Sequence, residues 1–164
     1  MFVLRVSALI AATMTTGLTA GVFGLYQHTV MQGLGRTDDR TFVGAFQAMD
    51  RAIINPWFMA SFLGALLLTI AAAVLNPGRG ILPWVLAALV LYALAVAVTM
   101  VVNVPLNDAL KAAGDPGTIA DLAAVRERFD ESRWLAWNLL RTITTTAAFG
   151  CLCWALVARG AGSA

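Results

Sequence analysis

Four long segments without a charged residue constrain the fold of this chain more than any other feature. These uncharged segments are residues 6–35, 52–78, 80–107 and 142–158. A helix needs about 20 apolar residues to cross a hydrocarbon core about 30 Å thick, and segments of this length supply them. We therefore predict an all-α integral membrane protein, a bundle of four transmembrane helices. The predicted spans are at about residues 6–26, 53–75, 81–102 and 135–158.

Composition agrees with a membrane protein and excludes some other classes. Hydrophobic residues make up 60% of the chain and charged residues only 12%, which is too apolar for an ordinary soluble domain. Four spans use about half of the chain, so we predict a single membrane domain over residues 1–164. The net charge is only +2, and no stretch interleaves basic with aromatic residues. We therefore expect a lipid bilayer and no nucleic acid as a partner, and we assign no oligomeric state.

The two longer connections carry apolar stripes at helical spacing. The stripe in residues 37–53 consists of Phe42, Phe46, Met49 and Ile53. The stripe in residues 118–134 consists of Leu122, Val125 and Phe129, and Thr118 is the expected N-cap. We predict one amphipathic helix in each connection. Because spans one and three end where spans two and four begin, both helices lie on the same face of the membrane.

The distribution of charge gives an expected orientation. Eight of the 11 Lys and Arg residues lie on the side of the long connections, although all nine acidic residues lie there too. The positive-inside rule counts Lys and Arg and gives little weight to acids. We therefore expect a multi-pass protein of a bacterial inner membrane, with its long connections in the cytoplasm.

Polar residues collect at the same face, at the ends of the predicted spans. Such groups are costly near membrane depth unless they face a bundle interior or a water-filled cavity, so their clustering indicates a binding pocket. The candidates are Tyr26 and His28 from span one, Asn55 and Trp57 from span two, Asn103 and Asn107 from span three, and Trp137, Asn138 and Arg141 from span four.

Arg141 has two interpretations at this stage. Trp137 and Asn138 precede it by four and three residues, so the three side chains share one helical face and fit a pocket with a cation. Alternatively, Arg141 snorkels from the start of span four to the headgroups. Asn103 and Asn107 also have two interpretations. They contact a ligand, or they cap the helix and hydrogen-bond to backbone groups near Pro105.

The sequence lacks the strong motifs for several kinds of catalysis. It contains no Gly-rich phosphate loop, no H-E-x-x-H, no G-x-S-x-G and no paired C-x-x-C, so we predict no metal site. His28 is the only histidine and could act as a general base or as an axial haem ligand, or it could be an interface residue.

One combination of motifs resembles a known family. The motifs are Asp39-x-x-Phe42, Asn55-Pro56-Trp57-Phe58, Asn103-Val104-Pro105-Leu106-Asn107 and Trp134-x-x-Trp137-Asn138-x-x-Arg141. Set in four spans of this order, they resemble the anthrone-oxygenase-like family of small membrane proteins. The resemblance implies oxidation of the central methylene of a tricyclic, polyketide-like aromatic substrate to a carbonyl by molecular oxygen.

That chemistry implies roles for the candidate residues. The enzyme need only remove a proton, hold the aromatic anion and admit oxygen, because the electron-rich substrate itself reduces oxygen. Trp57 and Trp137 would form flat walls with Tyr26 and Asn55, and Arg141 would meet a developing oxyanion. The neutral donors would be Asn103, Asn107 and Asn138. His28 and Asp108 are the candidate bases.

The sequence requires no cofactor, although a haem with Arg141 near a propionate is compatible with it. A second hypothesis is a non-catalytic membrane scaffold, or a subunit that binds or transports a small solute. The Asn and Arg residues would then cap helices and tie the connections to the bundle.

Overall fold

The structure, a computed structural model, describes residues 1–77 and 80–161, and within that part it contains helices and no strand. Four of the helices are long and apolar enough to cross a membrane. The predicted fold class is therefore confirmed, and the chain is a multi-pass helical membrane bundle. We number the helices α1 Phe2–Leu34, α2 Asp39–Ile53, α3 Pro56–Leu75, α4 Leu82–Ala112, α5 Leu122–Phe129 and α6 Glu131–Ala161.

The bundle consists of α1, α3, α4 and α6, each packed against two neighbours. α1 and α4 both pack against α3 and α6. Small side chains fill much of the interior, which lets the helix backbones approach closely and gain contacts that lipid cannot match. The fully buried alanines are Ala12, Ala65, Ala72, Ala88, Ala148 and Ala155.

α1 and α4 each contain a π-helical turn and continue past their predicted ends. The turns are Tyr26–Val30 in α1 and Thr99–Asn103 in α4. Pro105 lies just after the second turn and has no N–H to donate, so the wider turn before it accommodates the missing bond without ending the helix. Both helices continue beyond the predicted spans, which end at about residues 26 and 102, and α2 and α5 pack on these continuations.

α2 and α5 form what we call the helical cap, which covers one end of the bundle. The side chain of Asp38 begins α2 by accepting the Thr41 N–H at 3.0 Å, close to the predicted boundary. The apolar stripes of both helices meet in a separate core with parts of the bundle. This core consists of Met31, Phe42, Val43, Phe46, Leu110, Phe129 and Trp134.

The predicted start of α5 was wrong. α5 begins at Leu122, and the side chain of Asp121 accepts the Ala124 N–H at 2.9 Å. Thr118 lies instead in the preceding turn, where its hydroxyl donates to the Asp115 carbonyl at 3.1 Å. Thr118 therefore takes part in the turn at Asp115 and is not the N-cap of α5.

Arg126 joins the cap to the rest of the molecule. Its guanidinium is largely buried, and it makes ion pairs, hydrogen bonds and a ring contact with three chain segments. Its partners are the Glu131 carboxylate, the Asp39 carboxylate at 3.0 Å, the carbonyls of Thr37 at 2.9 Å and Gly35 at 3.1 Å, and the Phe42 ring at 4.3 Å. The connection before α2 is therefore held in place by a side chain of α5.

The opposite end of the bundle holds the short connection between α3 and α4. Asn76 is fully buried there, donating to the Ala72 carbonyl at 2.7 Å and accepting from Arg159 Nη1 at 2.7 Å. Gly78 and Arg79, which belong to the predicted turn, lie outside the described residues.

Candidate functional site

A cavity of about 230 Å³ lies at the capped end of the bundle, between α1, α2, α3, α4 and α6. Its volume exceeds that of the about 150 Å³ apolar cavity known to bind benzene. Most of its wall is apolar, with aromatic rings on several sides. The apolar lining residues are Val22, Phe23, Phe46, Ile53, Ile54, Phe58, Met59, Phe62, Met100, Val104 and Trp134.

Arg141 is the buried cation of this cavity, with only 5% of its surface exposed. Its guanidinium carbon lies 4.4 Å from the centroid of the Phe23 ring and 5.4 Å from that of Trp134, so the charge faces aromatic surfaces. Within the described part of the chain, no carboxylate forms an ion pair with it, and its Nε has no hydrogen-bond partner. The snorkelling interpretation therefore does not describe this side chain.

Neutral groups hold the guanidinium in place. Nη2 donates to Asn138 Oδ1 at 2.7 Å, and Nη1 donates to the Thr99 hydroxyl at 3.2 Å. Asn138 is itself fixed, because its amide donates to Gln27 Oε1 at 2.7 Å and to the Phe23 carbonyl at 3.1 Å. Three helices thus orient the planar fork of Arg141 without neutralising its charge.

A second polar group lies in the cavity wall, centred on the largely buried Asp50 of α2. Its Oδ1 accepts from Asn107 Nδ2 at 2.7 Å, and its Oδ2 pairs with Lys111 Nζ at 2.7 Å. Asn107 Oδ1 in turn accepts from the indole N–H of Trp134 at 2.8 Å. Lys111 also pairs with the exposed Asp108 at 2.9 Å, so this network leads from the cavity to the surface.

Comparison with known proteins places this architecture in a family. The sequence model of the anthrone oxygenase family matches residues 55–151, more than half of the chain. The chain belongs to the anthrone oxygenase family. The resemblance noted from the sequence is thereby confirmed, and no curated protein and no solved structure matches significantly. The matched part of this anthrone oxygenase family member contains α5 and contributes α3, α4 and α6 to the cavity, whereas α1 and α2 precede it.

Five of the predicted site residues come together in the wall of the cavity: Tyr26, Asn107, Asp108, Asn138 and Arg141. The Tyr26 ring lies 6.2 Å from that of Trp134. Asn103 is buried behind the wall and not in it, where its amide donates to the Trp134 carbonyl at 3.3 Å. Its Oδ1 has no partner among the described residues.

The other predicted residues do not line the cavity. Trp57 is 86% exposed and Trp137 is 37% exposed, and both rings lie outside the wall. Asn55 serves as the N-cap of α3, accepting the N–H groups of Trp57 and Phe58 at 3.0 Å each. His28 is exposed and its Nδ1 lies 3.1 Å from the Thr29 hydroxyl, so it does not reach the cavity.

The positions of these residues around their helices explain why Trp57 and Trp137 do not form the aromatic wall. α3 begins at Pro56, and from that start Phe58 and Phe62 occupy the inner face while Trp57 turns outward. In α6 the inner face carries Trp134, not Trp137. The expected flat walls are therefore present but are built by neighbouring rings.

Some residues of the cavity were absent from the sequence interpretation, although their spacing carried a signal. Trp134 was not among the predicted site residues. It precedes the predicted Asn138 by four residues, and Arg141 follows Asn138 by three, so all three lie on one stripe of α6. Asp50 lies between Phe46 and Ile53 at the same spacing, which places it on the buried stripe of α2. Thr99 and Lys111 had no comparable local signal.

The cavity wall does not fit a haem held by histidine. No histidine or cysteine is among its lining residues. Its side-chain oxygen and sulphur atoms belong to a tyrosine, a threonine, two asparagines, two methionines and the ion-paired carboxylates. Among the described residues there is also no group of three His, Cys, Asp or Glu side chains that would bind a metal ion. We derive no step through a haem or a metal.

Proposed function

We propose that this protein is a membrane oxygenase that oxidises the central methylene of an anthrone-like tricyclic substrate to a carbonyl. Membership of the anthrone oxygenase family supports the reaction class. The observation that carries the proposal is the buried guanidinium of Arg141, which has no acidic partner in the described structure and lines an apolar cavity. A cation in such surroundings favours an anionic ligand, and the aromatic walls favour a flat one.

The reaction balances without an added reductant. Loss of one methylene proton gives an aromatic anion with its charge on the ring oxygen, and this anion reduces dioxygen as a bond forms between carbon and oxygen. The resulting peroxide loses the second methylene proton as its oxygen–oxygen bond breaks. One oxygen atom stays as the new carbonyl, and the other leaves as water with the two methylene hydrogens.

Arg141 is the proposed binding group for the anion, and Asn138 positions it, because both N–H groups of the Asn138 amide already donate to Gln27 and to the Phe23 carbonyl. The two side chains are hydrogen-bonded to each other at 2.7 Å, and the guanidinium keeps an unused N–H at Nε. Donors that are already oriented stabilise developing charge without reorganising during the reaction. We therefore assign the substrate oxyanion to this side of the cavity.

Asp50 is the proposed proton acceptor. It is the buried carboxylate of the wall, and each of its oxygens retains a free lone pair after its contact with Asn107 or Lys111. Lys111 connects it to the exposed Asp108, so a proton taken in the cavity has a polar route to the surface. Asp108 itself is too exposed, at 59% of its side chain, to be our first choice as the base.

The direct test is oxygen uptake by the purified protein with a tricyclic anthrone. We expect uptake of one dioxygen per quinone formed, and ¹⁸O from labelled dioxygen in the new carbonyl. Arg141→Gln should abolish both, whereas Arg133→Gln, an exposed position on the same helix, should leave them unchanged. A folded wild-type protein without uptake would contradict the proposal and favour a non-catalytic scaffold or a solute-binding or transport subunit.

A further inference from the structure

The cavity has an opening on the side of the bundle, between α3 and α4. α3 packs closely against the Leu82–Val98 part of α4. The later parts of α4, Thr99–Asn103 and Val104–Ala112, instead make their close contacts with α6, α5 and α2. The two helices therefore diverge toward the capped end, and the gap between them meets the cavity.

The side chains at this gap belong to both the cavity wall and the outer surface. Ile54 is 65% exposed and Met100 is 58% exposed, yet both line the cavity. Val101, next to Met100, is 74% exposed but is not part of the wall. In a multi-pass membrane protein, an exposed apolar surface of this kind faces lipid.

The helical cap closes the other approach. Its core residues Phe42, Phe46 and Phe129 are almost completely buried, so the cap leaves no apolar passage between them. The polar edge of the cavity is occupied by the ion pairs of Lys111 with Asp50 and Asp108. An apolar molecule coming from water would have to separate these charges.

We propose that the gap beside Met100 is a lateral portal through which the substrate enters from the bilayer and the product returns to it. The proposal rests on the proposed function for the identity of the ligand, a flat fused aromatic molecule with one acidic oxygen. Such a molecule partitions into the bilayer because its apolar surface is large. It would pass Met100 and Ile54 edge-on, and its oxygen would meet Arg141 inside.

A portal affects how fast a ligand binds, whereas a binding contact affects how tightly it binds. We therefore expect Met100→Trp to slow both association and dissociation of a tricyclic anthraquinone by about tenfold, with Kd changed less than about twofold. Val101→Trp is the matched control, with the same added ring on the next residue, and should leave both rates unchanged. The rates are measured by stopped-flow quenching of tryptophan fluorescence in lipid nanodiscs.

Ile54→Trp approaches the gap from the connection between α2 and α3, and it provides a second variant if Met100→Trp fails to fold. The portal is overturned if rates in the folded variants match those of Val101→Trp, or if Kd rises without slower association. Because binding of an anthraquinone needs no turnover, this result is independent of oxygen uptake. Absence of uptake with portal kinetics intact would overturn the oxygenase proposal and leave the portal standing.

Discussion

At the scale of single residues, Arg141 is the clearest case of a side chain whose position costs stability. A charged group at membrane depth costs about 3 kcal/mol even after local relaxation. The partners of Arg141 are an amide oxygen, a hydroxyl and aromatic rings, and these offset only part of that cost. A cation held under these conditions is pre-organised for an anion that the folded protein alone does not supply.

We expect Arg141→Lys to lose most activity although it keeps the positive charge. Lysine is a point charge without the planar fork that contacts Thr99 and Asn138. Arg141→Gln should lose at least as much activity, while its thermal stability in detergent should equal or exceed that of the wild type because a buried charge is removed. Full activity of a folded Lys variant would remove Arg141 from the site.

Asn103 and Asn107 should respond differently to alanine. Asn107→Ala removes partners from both Asp50 and the Trp134 indole, so we expect a loss of activity of about 100-fold. Asn103→Ala removes one long hydrogen bond to a backbone carbonyl and an oxygen that has no partner in the described structure. It should cost about 1 kcal/mol of stability and little activity. Oxygen uptake and thermal unfolding of the two variants, measured together, test this difference.

Asp50→Asn should separate binding from turnover. Asparagine keeps the size of the side chain and its contact with Asn107, but it cannot accept a proton from the substrate. We expect Kd for an anthraquinone to stay within about threefold of the wild type while kcat falls by about 100-fold or more. Asp108→Asn is the control. If it lowers kcat as much as Asp50→Asn does, the proton acceptor is Asp108.

At the scale of secondary structure, Arg126 makes the polar contacts that connect the helical cap to the segments on either side of it. The guanidinium joins two carboxylates and two backbone carbonyls from different connections. Arg126→Ala would remove the donor from these partly exposed acceptors, of which the Asp39 side chain is 41% and the Glu131 side chain 25% exposed. We expect a loss of about 2 kcal/mol in the free energy of unfolding, against little change for the exposed Arg128→Ala. Equal effects in urea unfolding of the two variants would contradict this role.

Uncharged segments and apolar periodicity predicted the helices, and α1 and α4 continue beyond the predicted spans. The uncharged segments and the stripe of α2 located five of the helices, because burial in lipid or against a bundle imposes regular spacing. The ends of α1 and α4 lie 8 to 10 residues beyond the predicted spans, since π turns and cap contacts extend them. Which residue caps a helix also depends on how the preceding turn closes, as at α5, where Asp121 is the N-cap and Thr118 is not.

The sequence predicted which end of the bundle holds the candidate site, but it predicted only some of the residues there. Asn138 and Arg141 lie on one face of a single helix, so spacing alone brought them together. The partnership of Asp50 with Asn107 joins residues 57 positions apart, and no local pattern specifies it. Trp57 does not line the cavity because it is about 100° around the helix from Phe58, which does, and this places its ring on the outside.

At the scale of the whole molecule, the positions of the Lys and Arg residues predict an orientation of the bundle in the membrane. Eight of 11 lie with the long connections, so these should face the cytoplasm. Four spans place both termini on the same side. A reporter fused after Ala164 should therefore show a periplasmic C-terminus, and a cytoplasmic one would reverse the orientation.

Each π turn determines how the residues that follow it are rotated about the axis of their helix. A π turn holds one residue more than an α turn, and each residue of an α-helix advances the chain by about 100°. Deleting one residue from Thr99–Asn103 would therefore rotate Val104–Ala112 by about 100° and carry Asn107 and Lys111 away from Asp50. One residue in the π turn of α4 thus determines whether Asn107 and Lys111 reach Asp50 at the polar edge of the cavity.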